Sequence, residues 1–81
     1  MMSTVQEVKD IIERAAKMPW GPACSAELAR AVVLVDSLEG EEELRIETYI
    51  QLATAYQQGN EEWKALAPTA WLVATFDENP A

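Results

Sequence analysis

Apolar residues recur along the chain at spacings of three and four, which is the spacing of one face of an α-helix. The clearest example lies around the middle of the chain, at Ile46, Tyr49, Leu52, Ala53 and Tyr56. Three further runs show the same period, and polar or glycine-bearing segments separate them. The pattern therefore predicts four helices, over residues 4–17, 22–38, 42–58 and 61–76.

The segments between the runs contain residues that start or stop helices. Ser3 or Thr4 can cap the first helix, and Thr4 with Glu7 has the spacing of a capping box. Pro22 suits the first position of the second helix, and Gly40 suits the end of it. Gly59 is expected to close the third helix in the left-handed conformation, and Asn60 to cap the fourth.

The second and fourth helices differ from an ordinary amphipathic helix. Residues 22–38 are apolar around much of the circumference, which is typical of a central helix with neighbours on two sides. Pro68 is expected to kink or split the fourth helix near Ala67, and the helix is expected to end near Phe76. The buried face of the fourth helix is predicted at Trp63, Leu66, Ala67, Ala70, Trp71 and Ala74.

Short connections force neighbouring helices to pack antiparallel, so the chain reads as two helical hairpins, 4–38 and 42–76, within one domain. A shift of 41 residues brings the apolar positions of the first helix onto those of the third. We therefore predict an all-α fold of four helices in two stacked antiparallel hairpins, as in a small α-solenoid or bundle.

Residues 46–66 resemble one tetratricopeptide repeat of ~34 residues. The matching positions are Tyr49, Leu52, Ala53, Tyr56, Gly59, Asn60 and Ala65. Pro68 and Thr69 depart from the family pattern. The stretch from Ala16 onward also resembles uncharacterised bacterial helical-repeat proteins, with a Pro-aromatic-Gly-Pro turn followed by an Ala/Val-rich helix. The first resemblance implies a groove that takes a peptide or helix from a partner protein.

The composition excludes several classes of function. The 81 residues contain no histidine, so the commonest general base is missing, and no nucleophile or phosphate-binding motif is present. Cys24 is the one cysteine, and we interpret it as a small buried residue rather than a reactive thiol. The acidic run at residues 39–43 lacks the spaced Asp and Asn ligands of a calcium loop. We expect a non-enzymatic protein with no catalytic residue, metal or cofactor.

The charge of the chain restricts its partners. Fourteen acidic and six basic residues give a net charge of −8, which disfavours nucleic acid and anionic membrane surfaces. No apolar run of ~18 residues is present, and the polar N-terminus does not resemble a signal peptide, so a cytoplasmic protein is expected. The expected partner is a protein, and a basic one suits the charge.

The candidate partner-binding residues are aromatic or acidic. For Trp20 we favour a lid over the end of the hairpin core rather than an exposed anchor. The tyrosines can equally be core residues, and the glutamates are interpreted first as a solvated helix start. The candidates are Trp20, Tyr49, Tyr56, Trp63, Trp71, Glu41, Glu42 and Glu43.

These observations favour a non-catalytic module that binds protein. The alternative is a small acidic inhibitor, of the nucleic-acid-mimic or anti-defence type, that occupies a basic groove of its partner. A structural subunit is a third interpretation. Two hairpins are few for a solenoid, and the second helix and the end of the chain carry excess apolar residues, so we expect a homodimer.

Overall fold

The computed structural model describes residues 3–78, and the helical periodicity of the sequence is realised across almost all of them. The prediction of an all-α fold with four helices is confirmed. The elements are α1 (Thr4–Ala16), α2 (Pro22–Asp36), α3 (Glu42–Gln58), a 3₁₀-helix (Glu62–Ala65) and α4 (Leu66–Glu78). None of the helices in this part of the chain is long and apolar enough to span a membrane.

Helix α1 begins at Thr4 because Ser3 caps it. The Ser3 side-chain oxygen accepts a hydrogen bond from the Gln6 backbone N–H at 3.2 Å, and its carbonyl accepts one from Glu7 at 3.0 Å. The predicted capping box with Thr4 as the cap is therefore wrong, because Thr4 is already the first helical residue. Of the two capping residues that the sequence allows, only Ser3 keeps the extended backbone that a cap requires.

Helix α2 begins with Pro22, as predicted, and ends at Asp36, two residues earlier than expected. The Ser37 hydroxyl donates to the Leu34 carbonyl at 2.6 Å and helps to close the last turn. Gly40 has a φ of 78°, so it is left-handed. It lies in the connection to α3, however, and does not cap α2.

The prediction that Gly59 closes α3 in the left-handed conformation is wrong. Gly59 has a φ of −91°, and the left-handed residue is Asn60, with a φ of 62°. A side chain at position 59 would bring its Cβ within 2.9 Å of the Ala55 carbonyl oxygen and 3.1 Å of the Gly21 nitrogen. Glycine is therefore needed for this close approach of two connections, not for its φ. Asn60 is not a helix cap, since Glu61 precedes the 3₁₀-helix.

The fourth helical segment, residues 62–78, changes from a 3₁₀-helix to an α-helix at Leu66, not by a kink or split at Ala67, and Pro68 is the third residue of α4. The buried face of this segment is also not the predicted one. Trp63 and Leu66 are mostly exposed, whereas Ala65 and Pro68 are buried. The four 3₁₀ residues turn about 120° each instead of about 100°, which rotates α4 by roughly 80° relative to Trp63. Within α4 apolar residues occur on every side, so periodicity alone did not fix the buried face. Helix α4 also continues through residues 77 and 78, beyond the predicted end at Phe76; residues 79–81 lie outside the described part of the chain.

Helix α2 packs against both α1 and α3, which confirms its predicted central place, and α3 in turn packs against α4. The core consists of two apolar clusters along these contacts. Their most buried members are Val8, Ile11, Ala15, Cys24, Leu28, Ala31, Val35, Leu44, Leu52 and Ala55. The molecule is flat, 36 × 34 × 17 Å, with α1 and α4 at its opposite edges. This arrangement leaves a groove where α3 and α4 meet.

Candidate binding groove

A groove of about 350 Å³ lies between α3 and the fourth helical segment and reaches one residue of α2. Most of its surface is apolar, and three large aromatic rings contribute to it. The lining residues are Val32, Tyr49, Leu52, Tyr56, Lys64, Ala67, Pro68 and Trp71. Three of the predicted partner-binding residues, Tyr49, Tyr56 and Trp71, thus line one groove.

Two contacts hold Tyr49 in a fixed orientation, one on the face of its ring and one at its hydroxyl. The ring stacks on Trp71, with 4.0 Å between the ring centroids and 11° between the planes. The hydroxyl donates a hydrogen bond of 2.7 Å to Asp36 Oδ2 at the end of α2. Burial, helped by the Asp36 carboxylate, raises the pKa of Tyr49 to about 12. Tyr49 therefore stays neutral at physiological pH and joins α2, α3 and α4 at the groove.

Arg45 supports this arrangement, and sequence reasoning overlooked it. Its side chain is only 12 % exposed and donates hydrogen bonds to the carbonyl oxygens of Val35, at 3.0 Å, and Leu38. These are carbonyl groups at the C-terminal end of α2 and just after it. The guanidinium also lies 3.5 Å from Asp36 Oδ1, the carboxylate that receives the Tyr49 hydroxyl. Arg45 thus fixes the end of α2 and orients Asp36.

Lys64 lies at the other end of the groove. Its Nζ is 2.8 Å from Glu61 Oε1, and it lies over the rings of Tyr56 and Trp63, 6.0 and 5.2 Å from their centroids. The hydrogen bond between them lowers the pKa of Glu61 and raises that of Lys64. Both groups are therefore charged at neutral pH. The ion pair lies within the 3₁₀-helix and its N-cap, and the contact of Lys64 with the Tyr56 ring joins this segment to α3.

The other predicted partner-binding residues lie outside the groove lining. Trp63 is mostly exposed on the 3₁₀-helix, and Trp20 keeps half of its surface exposed in the connection between α1 and α2. Half of Trp20 thus lies in solvent and is not sealed against the core as a lid would be, and its role as an anchor stays a prediction. At the start of α3, Glu42 and Glu43 are exposed and Glu41 is half-buried. Glu42 accepts a 2.9 Å bond from Arg45, although its side chain is mostly exposed.

A second hollow and the buried cysteine offer fewer groups for binding or reaction. A shallow hollow of about 150 Å³ is lined by Glu7, Asp10, Ile11, Arg14 and Arg30. Its two arginines are paired with Glu27 at 3.3 and 3.2 Å. Cys24 is fully buried, and its thiol donates to the Ala15 carbonyl over 3.6 Å. Burial raises the pKa of this thiol, so the prediction of a small buried residue is confirmed.

No protein-family model, curated protein or solved structure matches the chain. The residues that line the groove indicate what it can bind. The ionisable groups in its lining are two tyrosines and a lysine, and the lysine is already paired with Glu61. Apolar walls with fixed aromatic rings are suited to removing a large apolar side chain from water.

Proposed function

We propose that the chain is a non-catalytic module of tetratricopeptide-like helical hairpins that binds a partner protein in the groove. The observation that carries this proposal is the stack of Tyr49 on Trp71 inside an apolar groove of about 350 Å³. That volume lies at the lower end of the range for binding pockets, ~300–1,000 Å³. It suits one or two large apolar side chains from a partner.

Preorganisation supports the proposal further. Tyr49 is fixed by Asp36 and Trp71, and Tyr56 lies under Lys64, so these rings lose little conformational freedom when a partner binds. Tyrosine and tryptophan are also the residues that most often dominate the free energy of protein–protein association. The groove thus resembles the centre of an interface.

The partner is expected to be basic beside its apolar anchor. The chain has a net charge of −8, and the cation at the groove, Lys64, is neutralised by Glu61. A partner segment with lysine or arginine next to a leucine, phenylalanine or tryptophan would gain from long-range attraction and from burial. The apolar contact supplies most of the affinity, since exposed ion pairs are weak.

A peptide library displayed on phage tests this proposal. Selection against the protein should enrich peptides that carry a large apolar residue flanked by lysine or arginine. Ala67 is an exposed residue of the groove lining, so Ala67→Trp should fill the groove without disturbing the core. We expect this variant to weaken binding of a selected peptide at least tenfold, as measured by isothermal titration calorimetry.

The matched control is Ala74→Trp, because Ala74 is an equally exposed alanine of α4 outside the groove lining. It should leave the affinity unchanged. The acidic-inhibitor alternative gives a different result: affinity would fall steeply with added salt and would not respond to Ala67→Trp. Selected peptides that bind both variants like the wild type would refute the groove as the binding site.

A further inference from the structure

Helix α4 and the 3₁₀-helix before it present a second apolar surface, on the side away from the groove. We name it the α4 stripe; it consists of Trp63, Leu66, Ala70, Val73 and Phe76. The four large side chains keep 55–73 % of their surface exposed. In α4 they follow the spacing of one helix face, opposite the face that carries the buried Pro68. Packing within the described chain leaves this face uncovered.

The two helices at the edges of the molecule, α1 and α4, differ in the polarity of their exposed faces. The exposed face of α1 is charged and paired with itself, with Gln6 bonded to Asp10 at 2.9 Å and Lys17 close to Glu13 at 3.9 Å. Such a polar face is what ends a stack of helices in water. Helix α4 lies at the other edge, against α3 and the 3₁₀-helix, and its outer face is apolar. One edge of the layer is closed to further packing and the other is open.

Charge indicates what covers the open edge. Residues 66–76 contain no charged side chain, although the whole chain has a net charge of −8. Two copies of so acidic a chain repel each other wherever their acidic surfaces meet. On the α4 stripe they can approach without placing carboxylates opposite one another. The stripe is therefore suited to a second copy of the same chain.

The size of the stripe fits such a contact. Two of the four large residues are aromatic, with ~150–250 Å² of surface each, and two are aliphatic; at their exposures they leave roughly 500 Å² of apolar surface per copy. A standard interface buries about 800 Å² per partner, and the flanking small residues of α4 can supply the rest. The largest apolar patch on a typical monomer is ~300–600 Å² and is often a site of interaction, and the α4 stripe is of this size.

We propose that two copies of the chain form a dimer by packing their α4 stripes against each other, antiparallel and about a twofold axis. The groove faces away from this contact, so dimerisation leaves both grooves free and presents two binding sites. The proposal does not depend on what the groove binds.

Sedimentation velocity over a range of protein concentrations tests the dimer. The wild-type protein should be dimeric at micromolar concentration, and Val73→Glu should raise the dimer dissociation constant at least tenfold, because it places a carboxylate in the contact. Val33→Glu is the matched control, since Val33 is 71 % exposed on α2, away from the stripe. Circular dichroism and thermal unfolding should show that both variants fold.

A second measurement locates the contact without destabilising it. Ala70 lies near the middle of the stripe, so Ala70→Cys should form a disulfide between two copies under mild oxidation, while Ala26→Cys, at an exposed position of α2, should not. The native Cys24 is buried and does not compete. A wild-type protein that stays monomeric at all concentrations would overturn the proposal. A dimer that Val33→Glu dissociates and Val73→Glu does not would also overturn it.

Discussion

At the scale of single residues, a few polar and small side chains decide how the helices meet. Arg45 reaches from α3 to the end of α2, where it donates to the carbonyls of Val35 and Leu38; the Val35 carbonyl also accepts the Leu38 N–H at 3.1 Å. Gly59 lets the connection after α3 approach the one before α2. Tyr49 joins α2 and α4 through a hydrogen bond and a ring stack. Each of these contacts gives a testable expectation.

Gly59→Ala should destabilise the protein by about 1–3 kcal/mol, because the new Cβ would press on the Ala55 carbonyl and the Gly21 backbone. Asn60→Gly should change the free energy of unfolding by less than ~0.5 kcal/mol, since glycine adopts the left-handed conformation readily. Urea denaturation measures both. A harmless Gly59→Ala would show that the two connections are not in contact.

Arg45→Met should lower the free energy of unfolding by roughly 2–3 kcal/mol, because it removes charge-assisted donors from the carbonyls of Val35 and Leu38. Arg30→Met is the control. Arg30 is an exposed arginine whose ion pair with Glu27 should contribute less than ~0.5 kcal/mol. Equal losses in the two variants would mean that Arg45 is also only a surface charge.

The free energy of unfolding should depend on pH in the alkaline range because of Tyr49. Its pKa in the folded state is about 12, above the ordinary value of 10. The folded state therefore holds the phenol proton more tightly than the unfolded state. The resulting stabilisation is complete below pH 10 and is lost as the pH rises through 12. The wild-type protein should lose stability relative to Tyr49→Phe across this window, in denaturation measured at several pH values.

The same variant supplies the spectroscopic check. In the wild-type protein, the absorbance of tyrosinate should include one late transition near pH 12, which Tyr49→Phe removes. A late transition that persists in Tyr49→Phe would belong to another group. The hydrogen bond to Asp36 would then not hold the proton as described.

At the scale of elements, the 3₁₀-helix determines which face of α4 is buried. Residues Glu62–Ala65 turn more tightly than an α-helix, so Ala65 and Pro68 point inward while Leu66 points outward. Pro68 fits here because the first turn of α4 has backbone N–H groups without helical partners. With α4 in this orientation, Trp71 packs against Tyr49 and the α4 stripe lies in solvent.

Two alanines separated by one residue test this phase. Ala65→Asp should destabilise by roughly 2–4 kcal/mol, because it buries a carboxylate without a partner. Ala67→Asp should cost less than ~0.5 kcal/mol, since Ala67 is exposed at the groove. Thermal unfolding of the two variants compares the same substitution on opposite sides of the segment. The continuous helix expected from periodicity alone predicts the reverse order.

At the scale of the whole molecule, the distribution of charge is uneven. Acidic residues cover the surface of a chain with a net charge of −8, while α4 between residues 66 and 76 has none. The groove and the α4 stripe lie on different sides of the fourth helical segment. Long-range repulsion between copies therefore opposes a contact that is itself apolar.

Added salt should strengthen the dimer. Raising the salt concentration from about 0.05 to 0.5 M shortens the range of repulsion between two acidic chains and should lower the dimer dissociation constant roughly threefold or more. Lowering the pH toward the isoelectric point of about 4.3 should act in the same direction. Sedimentation equilibrium measures both effects. A dissociation constant that rises with salt would indicate an interface held by ion pairs.

The sequence by itself determined the helices, because apolar period, proline and glycine act over a few residues. It located α3 to the residue and placed Pro22 at the start of α2. It also indicated Tyr49, Tyr56 and Trp71 as candidates. Large aromatic residues contribute most to the free energy of cores and of interfaces alike, so the sequence could not tell the two roles apart.

The tertiary structure decided everything that depends on long-range contact. The role of Arg45 requires the end of α2 to lie beside α3, and the need for Gly59 requires Gly21 to approach it. A local pattern contains neither distance. The orientation of α4 likewise depends on the tight 3₁₀ turn, because about 20° more per residue over four residues rotates the next helix by roughly 80° relative to a continuous α-helix.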